Sequence, residues 1–204
     1  RAIQEYTAIS DAFGVCITHD GQNWYLLSFP TDGATWLYNE SSGLWTSLAY
    51  GTDEAQHLIS DYVYIYGKHL VSDRRNGAIY ELDPDTFDDA GDPIQRRRVT
   101  RNIDSRSLGA PPGRRLFMSK LMLEIEPGSS LVSSESTIIM QYSDDDGRTW
   151  SAERWMDIGE QGDYTKELVW SGFAFFYKRK FRFTVTDPSN WVFIRLIADV
   201  TVGL

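Results

Sequence analysis

The feature that most constrains this chain is its rhythm. Short aromatic and β-branched runs alternate with turns rich in Gly, Asn and Asp, and no stretch repeats its apolar residues at the spacing of a helix. Phe13–Thr18 and Trp24–Phe29 flank His19-Asp-Gly-Gln-Asn23. Thr35–Tyr38 and Leu44–Leu48 flank Asn39-Glu-Ser-Ser-Gly43. Asp-Gly and Asn-to-Gly turns between such runs supply the positive φ that tight hairpins need. The pattern returns as Asp61–Tyr66, His69–Ser72 and Ala78–Leu82, separated by Gly67-Lys68 and Asp73-Arg-Arg-Asn-Gly77. The aromatic content, 14% of residues, suits pleated surfaces on which flat rings pack. The fold class read from this is all-β.

Trp36–Trp45 and Ile79–Phe87 repeat one scheme about 40 residues apart, a strand, a polar turn and an aromatic return. Four-stranded units at that spacing are propeller blades, and two cannot close a propeller. Residues 1–92 therefore read as propeller-like hairpin repeats, the last part of a longer propeller. The start at Arg1, with no initiator Met, agrees with a processed or excised piece. Residues 93–115 read as an arginine-rich connector containing one strand, Ile94–Ile103. Residues 116–204 hold about eight alternating strands and read as a jelly-roll-like β-sandwich. In this segment Phe173–Tyr177 is an expected strand, and Pro127–Ser130 and Gly159–Gly162 are expected loops. Phe181, Phe183 and Val185 share one face of a strand by their period of two.

The totals exclude several classes. A net charge of −9 disfavours phosphate-driven nucleic-acid binding. One cysteine, Cys16, allows neither an internal disulfide nor a cysteine zinc cluster. His19, His57 and His69 have no metal-ligand spacing. No apolar run nears the roughly 20 residues that span a bilayer, so no membrane partner is expected.

Three constellations could carry chemistry. Ser143-Asp-Asp-Asp-Gly-Arg-Thr-Trp150 fits S-x-D-x-G-x-T-W at Ser143, Asp145, Gly147, Thr149 and Trp150. It resembles the Asp-box of sialidases, which shapes a hairpin: the Asp accepts backbone N–H groups, the Gly takes positive φ and the Trp anchors the turn in the core. A sialidase would need an arginine triad and a Tyr nucleophile besides. The acidic runs Asp83–Asp92 and Asp144–Asp146 read as solvated turns. They lack both the convergent carboxylates of a glycosidase and the EF-hand spacing of a calcium loop, so neither a metal nor a cofactor is assigned. The arginines Arg96, Arg97, Arg98, Arg101, Arg114 and Arg115 read as a candidate interface toward a carboxylate-rich neighbour. Trp24, Trp36 and Trp45 are the residues a sugar platform would use, although core packing is the default for Trp in alternating strands.

A resemblance adds to this. Ser119-Lys-Leu-Met-Leu-Glu-Ile-Glu-Pro-Gly128, Ile139–Trp150, Gly159-Glu-Gln-Gly-Asp-Tyr164, Val169-Trp170 and Arg179–Pro188 together resemble the phage stabilisation family, tail hub or nozzle proteins of short-tailed bacteriophages. Ile94–Thr100 and the Trp36–Trp45 hairpin are similar to it too. Ser171–Tyr177 departs from the Gly- and Arg-rich approach common there. The resemblance implies a virion structural protein and not an enzyme. It implies a homo-oligomeric ring, a hexamer, below the portal and adaptor, extending the DNA exit channel and closing the filled head. Tail spikes or fibres and a tail needle would be its other partners. DNA would be only transient channel contents, and assembly would take place in the host cytoplasm. The competing reading is a carbohydrate-binding or sialidase-like glycan-hydrolysing β protein.

Overall fold

The computed structural model describes residues 2–19, 21–127, 136–159, 166–188 and 191–203. Asp20, and all but the first residue of each loop expected at Pro127–Ser130 and Gly159–Gly162, lie outside the described residues. Among those described there is no α-helix, only strands and two 3₁₀ segments. The chain divides into two compact units, Arg1–Ile94 and Gln95–Leu204.

Unit 1 is built from chain neighbours. Strands β1 (Phe13–His19), β2 (Gln22–Phe29), β3 (Ala34–Asn39), β4 (Leu44–Tyr50) and the two-residue β5 (Ala55–Gln56) form one antiparallel meander. Strands β6 (Ile59–Ile65), β7 (Lys68–Asp73) and β8 (Ile79–Glu81) form a second, and β9 (Asp88–Asp89) and β10 (Asp92–Pro93) a small hairpin. The β3–β4 turn shows how the sequence sets these corners. Asn39 Oδ1 accepts the Ser41 and Ser42 amides at 2.9 and 3.3 Å, and Gly43 takes φ +66° to re-enter the ladder. One face of the first sheet meets the second through Ile17, Leu26, Ile59 and Val71, with Val15, Trp24, Leu37 and Leu82 partly covered around them. That core is thin.

Unit 2 is a sandwich whose chain keeps changing sheets. After β11 (Arg96–Val99) and β12 (Ile103–Asp104), the chain runs through β13 (Leu116–Pro127), β14 (Ser136–Ser143), β15 (Arg154–Gly159), β16 (Lys166–Ser171), β17 (Phe175–Phe176), β18 (Lys178–Val185) and β19 (Trp191–Val202). One sheet has the order β11-β18-β14-β15, with β12 also on β18. In the other, β13 pairs with β16 and β17 on one edge and with β19 on the opposite edge. Between them lie Leu116, Leu121, Leu123, Ile125, Ile138, Met140 and Phe181, all with no accessible surface. Each such side chain contributes about 1.5–3 kcal/mol by leaving water. Phe173, Phe181 and Tyr142 meet in tilted or edge-to-face pairs with centroids 5.5–6.4 Å apart.

Two elements differ from the sequence reading. The single strand expected over 94–103 is two strands, β11 and β12, both on β18. Thr100 separates them: its Oγ1 accepts the Phe181 amide at 3.0 Å while its own amide donates to the Phe181 carbonyl, so a side chain replaces part of the ladder. The strand expected over 173–177 shrinks to Phe175–Phe176, because Phe173 turns into the core at 1% exposure.

Candidate functional site

The Asp-box-like turn joins β14 to the segment before β15. Ser143 Oγ donates to Asp145 at 2.7 Å and accepts the Gly147 amide at 2.8 Å. Asp145 in turn takes the Thr149 amide at 2.9 and 3.0 Å and its hydroxyl at 2.6 Å. Those donors, the Thr149 hydroxyl first, hold the Asp145 carboxyl well below the usual carboxylate range. Gly147 takes φ +92°, and a Cβ there would stand 3.3 Å from the Trp150 ring. Trp150 is not in the core as expected. It is half-buried on the sheet surface, under the Arg182 guanidinium at 4.1 Å.

The three consecutive acids have separate partners, so only a part of the run is a solvated turn. Asp144 receives a two-pronged Arg179 at 2.6 and 2.7 Å. Arg179 is 3% exposed, donates to the Phe173 carbonyl at 2.7 Å, and is stacked between Tyr142 and Phe176 at 4.1 and 4.3 Å. Asp146 binds Lys178 and accepts from Asn102 at 2.9 Å. Sequence reasoning missed the Asp144–Arg179 clamp. Its signal was an arginine at the inward parity of Phe181, Phe183 and Val185, a place that only a paired cation can hold.

The six interface arginines do not form one patch. Arg96, Arg97 and Arg98 lie along β11, an edge strand opposite Val185, Thr184 and Phe183. Arg96 donates to the Asp187 carbonyl and Arg97 to Gln95 at 2.7 Å. Burial disfavours the charge on both, and Arg182 beside Arg97 adds repulsion. Arg98 and Arg101 are exposed. Arg114 and Arg115 stand at the start of β13, where Arg115 covers Phe175 at 4.3 Å.

Charge also divides between the units. Arg1–Ile94 holds 4 Lys and Arg against 15 Asp and Glu, a formal −11, and Gln95–Leu204 holds 16 against 14, a formal +2. In unit 1 a groove is lined by His57, Val71, Asp73, Tyr80, Asp88 and Asp89. Burial pushes the His57 imidazole down to about 4, and its neutral Nδ1 accepts the Ile59 amide at 3.4 Å. Burial raises Asp89, with Asp88 and Asp92 adding to it. Asp83 and Asp88 are spent on turn amides, those of Asp85 at 3.0 Å and Gly91 at 2.7 Å. Among the described residues no three His, Cys, Asp or Glu side chains converge on a point where a metal ion could sit.

The three tryptophans considered for a sugar platform do not share a face. Trp24 is level with Ile17 and faces the unit 1 core, whereas Trp36 and Trp45 point the other way. On that second face Tyr25, Tyr38 and Trp45 form a straight row across β2, β3 and β4, with Tyr25 39% and Trp45 50% exposed.

These two units match known families in the same order. Residues 1–87 match the family described as bacteriophage P22 Gp10, beta-propeller, and residues 106–201 the family described as bacteriophage P22 Gp10, beta-sandwich. No curated protein matches the chain. With a propeller part and a sandwich both of this type, the chain belongs to the phage stabilisation family, whose members are structural proteins of the phage tail.

Proposed function

We propose that this protein is a subunit of the tail hub, or nozzle, of a short-tailed phage. It forms a homo-oligomeric ring, a hexamer, below the portal and adaptor, extends the DNA exit channel, closes the filled head and anchors the spikes or fibres and the needle. Assembly takes place in the host cytoplasm. The observation that carries this reading is the pair of family matches, propeller then sandwich, over nearly the whole chain. Charge supports it. A wall along which DNA slides is better acidic than basic, because every phosphate contact adds affinity and slows passage, and unit 1 is strongly acidic. The exposed Arg98 and Arg101 on and beside the β11 edge suit pairing with a carboxylate-rich neighbour in the ring.

Negative-stain electron microscopy of the full-length gene product, alone and with its neighbouring tail proteins, tests this. Pored rings that dock on a portal–adaptor assembly are expected. Dispersed particles that ignore that assembly would remove the reading and turn attention to glycan binding.

A further inference from the structure

Strand β19 is paired on one side only. It runs along β13 from Trp191 to Val202, and among the described residues no other strand pairs with it. Its inward side chains are unfinished as well. Phe193, Leu196, Ala198, Val200 and Val202 pack on the core but remain partly exposed, while the inward residues of β13 beside them have almost no accessible surface. On the outer face Val192, Ile194 and Ile197 are 49%, 47% and 37% exposed. Folded proteins blunt a long apolar edge with lysine, proline or a bulge. Here one bulge falls at Ile194, between the Phe193 and Arg195 registers, and leaves 195–202 to run without a further break on the β19 side.

The charge pattern identifies what fits this edge. Arg195 and Asp199 lie two residues before and two after Ile197, on the same face. Reversed about Ile197, the pattern is its own complement. A second β19 laid antiparallel would set each Arg195 opposite the other copy's Asp199, and Ile197 opposite Ile197. The rows behind the edge agree. Arg195 donates to Glu124 on β13, and Lys120 stands opposite Asp199. Across such a joint one row would read Glu124, Arg195, Asp199 of the second copy, Lys120 of the second copy, alternating in sign throughout. Opposite charges placed directly across strands stabilise a pair, and like charges oppose it.

We propose that the free edge of β19 binds a second copy of this chain, strand to strand and antiparallel about Ile197, joining two three-strand-wide sheets into one of six. The contact is isologous and stops at two copies. It is therefore separate from any head-to-tail contact that closes a ring, and it stands or falls independently of the tail reading.

Sedimentation of the 204-residue chain tests it. The unaltered chain is expected to dimerise. R195D, acidic at both positions, and D199R, basic at both, are each expected to weaken the dimer by on the order of tenfold or more. Mixed in equal amounts they are expected to pair again, since every contact across the joint is then of opposite sign. Circular dichroism identifies any variant that fails to fold. For that case, I197C in a Cys16→Ser background gives a second readout. Directly opposed antiparallel residues lie close enough for a disulfide, so oxidation is expected to give a covalent dimer with I197C and not with T201C. A chain that stays monomeric at every concentration, including one whose β19 edge takes a different protein, overturns the proposal. So does a dimer indifferent to both single variants, or a mixture that stays monomeric.

Discussion

In unit 1 every paired strand lies beside its neighbour in the sequence; in unit 2, β18 is flanked by β11 and β14, and β13 by β16 and β19. The depth of burial follows this difference. The meanders of unit 1 share a cluster of Ile17, Leu26, Ile59 and Val71, and leave a face bearing Tyr25 and Trp45, and strands bearing Val63 and Ile79, exposed to 39–70%. The crossing connections of unit 2 bring two sheets together over fifteen buried apolar side chains. A meander covers one of its faces with the next meander and offers the other to a further blade, as propellers stack. A sandwich uses both inner faces at once. Self-sufficiency and readiness to assemble are thus divided between the two halves.

Changes in stability can break or sharpen that contrast. The largest effect is expected from Phe181→Ala, which opens a cavity against Phe173 and Tyr142 and costs about 4 kcal/mol. Chemical denaturation followed by tryptophan fluorescence should show the loss in one transition only; a loss spread over both transitions would mean the units unfold together. Arg179→Ala follows at about 3 kcal/mol, since it strands the Phe173 carbonyl and takes a cation from Asp144, whose partial exposure moderates the cost. Arg179→Lys, which cannot reproduce the fork, should recover only part of it.

Acid should act on the other half. The folded His57 holds its proton less tightly than the unfolded chain does, about 4 against 6.5. Its contribution is therefore complete above pH 6.5 and is lost as pH falls toward 4, by up to about 3 kcal/mol. His57 lies in unit 1, so thermal melts between those pH values should destabilise it selectively. His57→Leu should flatten that slope, and an unchanged slope would rule His57 out as its source. The smallest effects are expected at the Asp-box-like turn. Gly147→Ala, strained at φ +92° and pressed on Trp150, should cost about 1 kcal/mol. Asp145→Ala should lower the unit 2 melting point by a few degrees, with a similar decline in the parent protein as pH falls below the ordinary carboxylate range.

Legibility in the sequence also differs between the halves. The strands of unit 1 appear almost where the turns place them, β1 from Phe13 and β3 around Trp36, because Asn-to-Gly and Asp-Gly corners act locally. The Asp-box-like turn follows the same local rule in one respect, Asp145 accepting the Thr149 amide, whereas the Ser143 and Thr149 hydroxyl bonds to Asp145 were not read from the sequence. The rest of what was not legible depends on distant pairing. Whether Trp150 enters the core is decided by Arg182 on another strand, and Asp144 finds Arg179 thirty-five residues away. The arginines of 96–115, contiguous as a composition, separate onto the β11 edge and the start of β13. The row Tyr25–Tyr38–Trp45 needs the register of three strands, which spacing alone does not fix.

The pairing of β13 with β19 has a consequence for the order of events in folding. Leu116–Pro127 must wait for Trp191–Val202 before its second edge is closed, and contacts so far apart along a chain form slowly. The hairpins of unit 1, closed by turns of a few residues, have no such delay. During synthesis the propeller part can thus be in place while β13, made far earlier than its last partner, remains an open ladder. The time over which this protein is most exposed to mispairing is set by how long β19 takes to arrive.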